Sequence, residues 1–183
     1  AHLPNIPAES NEAMERATSG TRTYAEELQQ LASTVPVVIT DLGAVIQEIL
    51  EITRPLMQAY QVSVQTALAP DLPTFPLKTL LLRQALLDLV GIAARRAAKG
   101  QIVIEVERAE QVVCIRISSV PQNVAEMDAQ PAQEGLDIAD KLIGLCGGEL
   151  RRTDTLTFGV QITFPIEERF TVLVIDDNAD ARL

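Results

Sequence analysis

Apolar side chains change their spacing several times along this chain, and each change predicts an element. Met14, Ala17, Thr21, Tyr24, Leu28, Leu31 and Val35 step by threes and fours, the spacing of a heptad seam. Ser10 suits an N-cap, with Glu12 and Glu15 near the positive end of the helix dipole. The seam reads either as one amphipathic helix lying on a domain or as half of a dimerising helical hairpin. Val37-Val38-Ile39 is a β-branched run suited to a strand. Asp41 then caps a helix to about Tyr60, with Ala44, Val45, Ile49, Ile52, Leu56 and Met57 as its buried stripe. Pro55 lies inside it and is predicted to kink or break it, because proline lacks an amide donor. Residues 62–68 alternate as a half-buried strand, and residues 71–76 read as a loop.

Leu77 to Ala98 is the most strongly helical stretch. Leu82, Leu86, Leu89 and Ala93 form one core-facing stripe, with Leu81, Ala85, Asp88 and Ile92 on the neighbouring strip. Lys99-Gly100 ends it, the glycine suiting a left-handed turn. Residues 101–108 and 111–118 alternate about a short turn and predict a hairpin. Residues 119–133 lack periodicity and form a loop; Leu136–Leu145 is a short helix stopped by Gly147-Gly148. Residues 149–153 and 156–165 predict a second hairpin, and Thr171–Ile175 is an apolar strand of the buried parallel type. Strands and helices alternate without regular crossover units, which predicts an α+β domain with helices on one face of a mixed sheet.

Composition narrows the function classes. The chain has 183 residues, 15 Lys and Arg against 25 Asp and Glu, and a formal charge of −10. Such a balance argues against nucleic-acid binding, which needs a basic face to replace phosphate counterions. No apolar run approaches the roughly 20 residues that span a bilayer, so no membrane contact is expected and the expected setting is the cytoplasm. His2 is the only histidine and Cys114 and Cys146 the only cysteines, too few for a histidine-based metal site, a triad or a disulfide framework. Both ends read as cuts from a longer protein.

The order of elements and three strings resemble the ATP-binding domain of sensor histidine kinases, the Bergerat-fold group shared with gyrase B and Hsp90. Leu82-Arg-Gln-Ala-Leu-Leu-Asp-Leu-Val-Gly-Ile-Ala93 is similar to the N-box helix. The segment Gly135–Leu150 resembles the glycine-opened helix and Gly-Gly turn that follow the nucleotide lid, and Phe158–Pro165 the closing strand. The resemblance covers residues 37–166 and implies a two-layer α/β sandwich of the GHKL ATPase type. It leaves 1–36 as linker and amphipathic helix, and 167–183 as linker plus a further start. There, Val172–Asp180 resembles the opening of a response-regulator receiver, whose paired acids, here Asp176 and Asp177, help hold Mg²⁺.

The same resemblance implies ATP and Mg²⁺ as ligands, and the residues that should hold them have changed. The N-box offers two polar residues four apart; here they are Asp88 and Ile92, and Ile92 replaces the magnesium-ligating asparagine. Mg²⁺ demands near-octahedral oxygen coordination, which an aliphatic side chain cannot supply. The adenine-reading Asp-x-Gly-x-Gly is replaced by Ser118-Ser-Val-Pro-Gln122. Ser118 takes the acid's place, and Val120 and Gln122 bring Cβ atoms where glycines gave backbone freedom. Of the glycines opening the next helix only Gly135 persists. The expected protein is therefore a degenerate kinase domain without cofactor. It would act as a non-catalytic module between a homodimerising N-terminal helix and a receiver in cis. An active kinase with a non-standard site, and a binding module for another ligand, are the alternatives.

Overall fold

The computed structural model describes residues 29–30, 32–122, 133–154 and 157–166. Its elements are β1 (Val38–Thr40), α1 (Leu42–Ala59), β2 (Ser63–Leu68), β3 (Phe75–Leu77), α2 (Thr79–Ala97), β4 (Gln101–Ala109), β5 (Val112–Val120), α3 (Gln133–Leu145), β6 (Glu149–Asp154) and β7 (Phe158–Pro165). Five strands form one mixed sheet in the order β2-β4-β5-β7-β6, parallel between β2 and β4 and antiparallel elsewhere. β1 and β3 pair separately as a short antiparallel ribbon, with Ile39 opposite Pro76.

Alternation decides which face of the sheet the helices cover. Ile102, Ile104 and Val106 of β4, Val113, Ile115 and Ile117 of β5, and Val160, Ile162 and Phe164 of β7 are all buried. The register sets them side by side, Ile104 opposite Ile117 and Ile117 opposite Val160. Period-two pleating sends the intervening residues to the other face, where Glu107 and Arg116 form an ion pair at 2.6 Å. Half-exposed pairs of that kind contribute about 1 kcal/mol or less. The three helices lie on the apolar face, where Leu82, Leu86, Leu89 and Ala93 of α2 are buried with Leu136, Ala139, Leu142 and Ile143 of α3. An ion pair between Glu48 and Arg83 joins α1 to α2.

Several local expectations are corrected. Phe75 and Pro76, expected in a loop, and Leu77, expected to open the next helix, form β3: Phe75 and Leu77 are buried while Pro76 points out, a strand too short to show a period. β2 is exposed along most of its length instead of half-buried, because it is an edge strand. In α1 the buried stripe is Leu42, Val45, Ile46, Ile49, Thr53 and Met57; Ala44 is exposed and Ile52 stands off to one side of the stripe, also exposed. The helix continues through Pro55. Glu51, whose carbonyl loses its amide partner to Pro55, lies on the exposed side of the helix, where the lost bond costs least. The two turns that flank β4 differ as well. Lys99, not Gly100, takes the left-handed conformation (φ 62°). The first hairpin turns at Glu110-Gln111, Glu110 having φ 49°.

Asp41 caps α1 as expected, its Oδ1 accepting from Ala44 N at 3.1 Å. The end of α3 is a Schellman turn: Gly148 N donates to Ile143 O and Gly147 N to Gly144 O, both at 3.0 Å, with Gly147 at φ 82°. A Cβ on Gly148 would stand 2.5 Å from the Phe164 ring, so this glycine is fixed by packing.

Candidate functional site

α2, the end of β5 and the start of α3 converge on the region where the sequence places the candidate residues. Asp88 and Ile92 are one turn apart on α2 and so share a face. Asp88 is partly exposed, and both its carboxylate oxygens accept from Gln84 Nε2 at 3.3 Å. Ile92 is only 3 % exposed. A Cβ built on Gly135, in the first turn of α3, would stand 3.1 Å from Ile92 Cδ1 and 3.8 Å from its Cγ1. The Ile92 side chain therefore abuts the α3 backbone directly, and the glycine is what lets the two helices come so close.

At the other end of α2, Gly100 holds the segment that follows β5. A Cβ there would stand 2.0 Å from Val120 O and 2.8 Å from Gln122 N. Val120, 53 % exposed, and the exposed Gln122 therefore pass across the junction of α2 and β4. Ser118, expected in place of the adenine-reading acid, lies in the β5 row of Cys114 and Arg116, opposite Val103 and Gly159. That row faces away from the helices. The hydroxyl on the helix side belongs to Ser119, which is 2 % exposed and whose Oγ accepts from Phe158 N at 3.2 Å. Ser119 was missed from the sequence, although Val113, Ile115 and Ile117 already set its row.

The structure thus brings Ile92 and Gly135 into contact, leaves Asp88 one turn away, sets Val120 and Gln122 against Gly100, and turns Ser118 outward. Asp176 and Asp177 lie outside the described residues. Across this region the α2 face offers one carboxylate and, four residues on, a hydrocarbon. Among the described residues, no group of three or more His, Cys, Asp or Glu side chains comes together as a metal site. None of their helices is long and apolar enough to cross a membrane.

Solved structures share this fold. The Acinetobacter baumannii histidine kinase AdeS superposes with a TM-score of 0.62 at 12 % identity, over 90 % of this chain and 87 % of that one. The chain has the histidine kinase ATPase fold. The catalytic domain of the histidine kinase ThkA gives a TM-score of 0.58 at 16 % identity, over 70 % of this chain and 95 % of that one. The cytoplasmic segment of the histidine kinase QseC gives 0.56 at 18 % identity, over 91 % and 100 %. No family model matches the sequence, and no curated protein does. The similarity is one of fold, carried by a five-stranded mixed sheet with its helices on one side.

Within that GHKL fold, the cysteines are set apart from the α2–α3 contact. Cys114 is buried in β5, and burial raises its thiol above the ordinary value against the opposing pull of Arg116. Cys146 follows α3; burial pushes its thiol up to about 11, while Lys78 pulls the other way.

Proposed function

We propose that this chain is a histidine-kinase-type domain that has kept its scaffold and lost its nucleotide site, serving two-component signalling as a non-catalytic coupling module. The observation that carries the reading is Ile92, 3 % exposed and seated against Gly135. A nucleotide entering between α2 and α3 would have to displace a packed aliphatic side chain and would find no oxygen behind it. Mg²⁺ needs several oxygen ligands in near-octahedral geometry, and Asp88 alone does not fit that demand. Ser118 faces away from the helices, and neither Val120 nor Gln122 restores what glycine gave. These residues do not fit a magnesium–nucleotide group.

What remains is a folded scaffold between two segments. The heptad seam ending at Val35 would join two copies, and the strand that opens at Val172 would begin a receiver in cis, with Asp176 and Asp177 as its acid pair. In this role the domain transmits the relative placement of its neighbours without transferring phosphate. The net charge of −10 argues against nucleic acid as a partner.

Isothermal titration of the 183-residue chain with ATP, with and without Mg²⁺, tests the reading. The expected result is no saturable binding in the micromolar range. A micromolar Kd overturns it, as does transfer of radiolabel from ATP to a histidine of a longer chain carrying this domain.

A further inference from the structure

The α2–α3 contact leaves one apolar feature unused. A groove of about 450 Å³ runs between the β1–β3 ribbon and the end of β7, bounded by Ile39, Phe75, Leu77, Cys146, Phe164 and Ile166. Among the described residues, no charged side chain lines it. Ile39 at its rim is 70 % exposed, and Val37 and Val38 beside it are exposed as well. Its floor is an aromatic pair, Phe75 and Phe164, with ring centroids 6.0 Å apart and planes inclined at 52°. A contiguous apolar strip of this kind marks a surface that something covers.

We propose that Phe170 of the same chain fills this groove and fastens the segment after β7 to the domain. The chain leaves β7 at the groove itself. Ile166 forms part of the wall, and its N–H is held to Gln111 O at 2.7 Å. Phe170 follows four residues later, a reach of up to about 13 Å in extended chain. The three residues between, Glu167, Glu168 and Arg169, carry charges that are costly to bury unpaired. They stay in water along the rim, and Phe170 is the first side chain able to enter. Of the four phenylalanines in the sequence, Phe75, Phe158 and Phe164 are buried, and the fourth has an inclined ring pair within reach. A third ring meets such a pair edge-to-face, the arrangement aromatic quadrupoles favour. The inference does not rest on the loss of the nucleotide site. Its consequence is that whatever follows Arg169 is held at a fixed place beside β1.

Cys146 lines the groove and reports its occupancy, while Cys114, buried in the sheet, is an internal reference. Site-resolved alkylation by iodoacetamide is measured on the 183-residue chain at one pH. Phe170→Ala is expected to speed reaction at Cys146 by roughly tenfold, the factor that exposing one buried phenylalanine side chain carries, and to leave Cys114 unchanged. In Phe170→Trp, the indole emission is expected to be blue-shifted and to return to the water-exposed position when Ile39→Asp is added. Equal alkylation rates in wild type and Phe170→Ala overturn the proposal, as does a solvent-exposed emission from Phe170→Trp alone. Protection of Cys146 that disappears on dilution also overturns it, because a second copy would then be the occupant. So does the same acceleration caused by Leu28→Ala, which would assign the groove to the N-terminal seam.

Discussion

Ile92 does two things with one side chain: it withholds an oxygen from the α2 face and joins α2 to α3. Ile92→Asn therefore does not simply reopen a site. It places an amide in an apolar contact, and the loss of packing plus the unpaired polar group is expected to destabilise the fold by about 2–4 kcal/mol, measured by urea unfolding. Adding Ser118→Asp is expected to recover little nucleotide affinity in a binding titration, since position 118 lies on the opposite face of the sheet. The closeness of the two helices has its own signature. Gly135→Ala forces a Cβ against Ile92 Cδ1 at 3.1 Å, an atom that valine lacks. In a double-mutant cycle, Gly135→Ala is expected to be more favourable in the Ile92→Val background by about 0.5 kcal/mol or more. Additivity would show that the helices do not meet there. Cys146 gives a pH dependence. Its thiol is pushed up to about 11 from an ordinary value of 9.0, so the folded chain holds this proton after the unfolded chain has released it. The stability it contributes is full below pH 9 and is lost as the pH rises towards 11. The difference in stability between wild type and Cys146→Ala should fall across that window.

At the scale of elements, the junction of α2, β4 and the end of β5 is the tightest backbone approach at any described glycine. Gly100→Ala would drive a Cβ into Val120 O at 2.0 Å and Ala97 O at 2.6 Å, and backbone cannot step aside as a side-chain tip can. A loss of about 3 kcal/mol or more is expected, read from thermal or urea unfolding, whereas Gly144→Ala, with nothing within 4 Å, should be tolerated. The long elements were legible because their periods are unambiguous: α1 and α2 from their stripes, β4, β5 and β7 from alternation between buried β-branched and polar residues. β3 was not, since three residues carry no period and Phe75 and Leu77 are buried by the ribbon partner and the end of β7. Lys99 was not either, because a left-handed residue that is not glycine leaves no mark in composition. The glycine beside it was conspicuous for a different reason, the proximity of a strand that is distant in sequence.

For the molecule as a whole, the sheet with helices on one side followed from patterning, and the likeness of fold from the order of three strings. The candidate site was only half legible. The loss of oxygen at Ile92 is visible in the residue name, but its contact with Gly135 depends on how α3 lies against α2, which no local pattern encodes. The orientation of Ser118 could have been read by extending the Val113, Ile115, Ile117 row by one step. The sheet is also unevenly held. β4, β5 and β7 each have a paired strand on both sides, whereas β2 sits at one edge, exposed along most of its length and joined to β4 along a single parallel seam. A strand open to water and held by one row of bonds is the first to let go. Amide hydrogen exchange should accordingly find the fastest native-state exchange of the sheet core along residues 63–68, with the slowest at Ile115 and Ile117, so that the domain peels from one side while its centre stays shut.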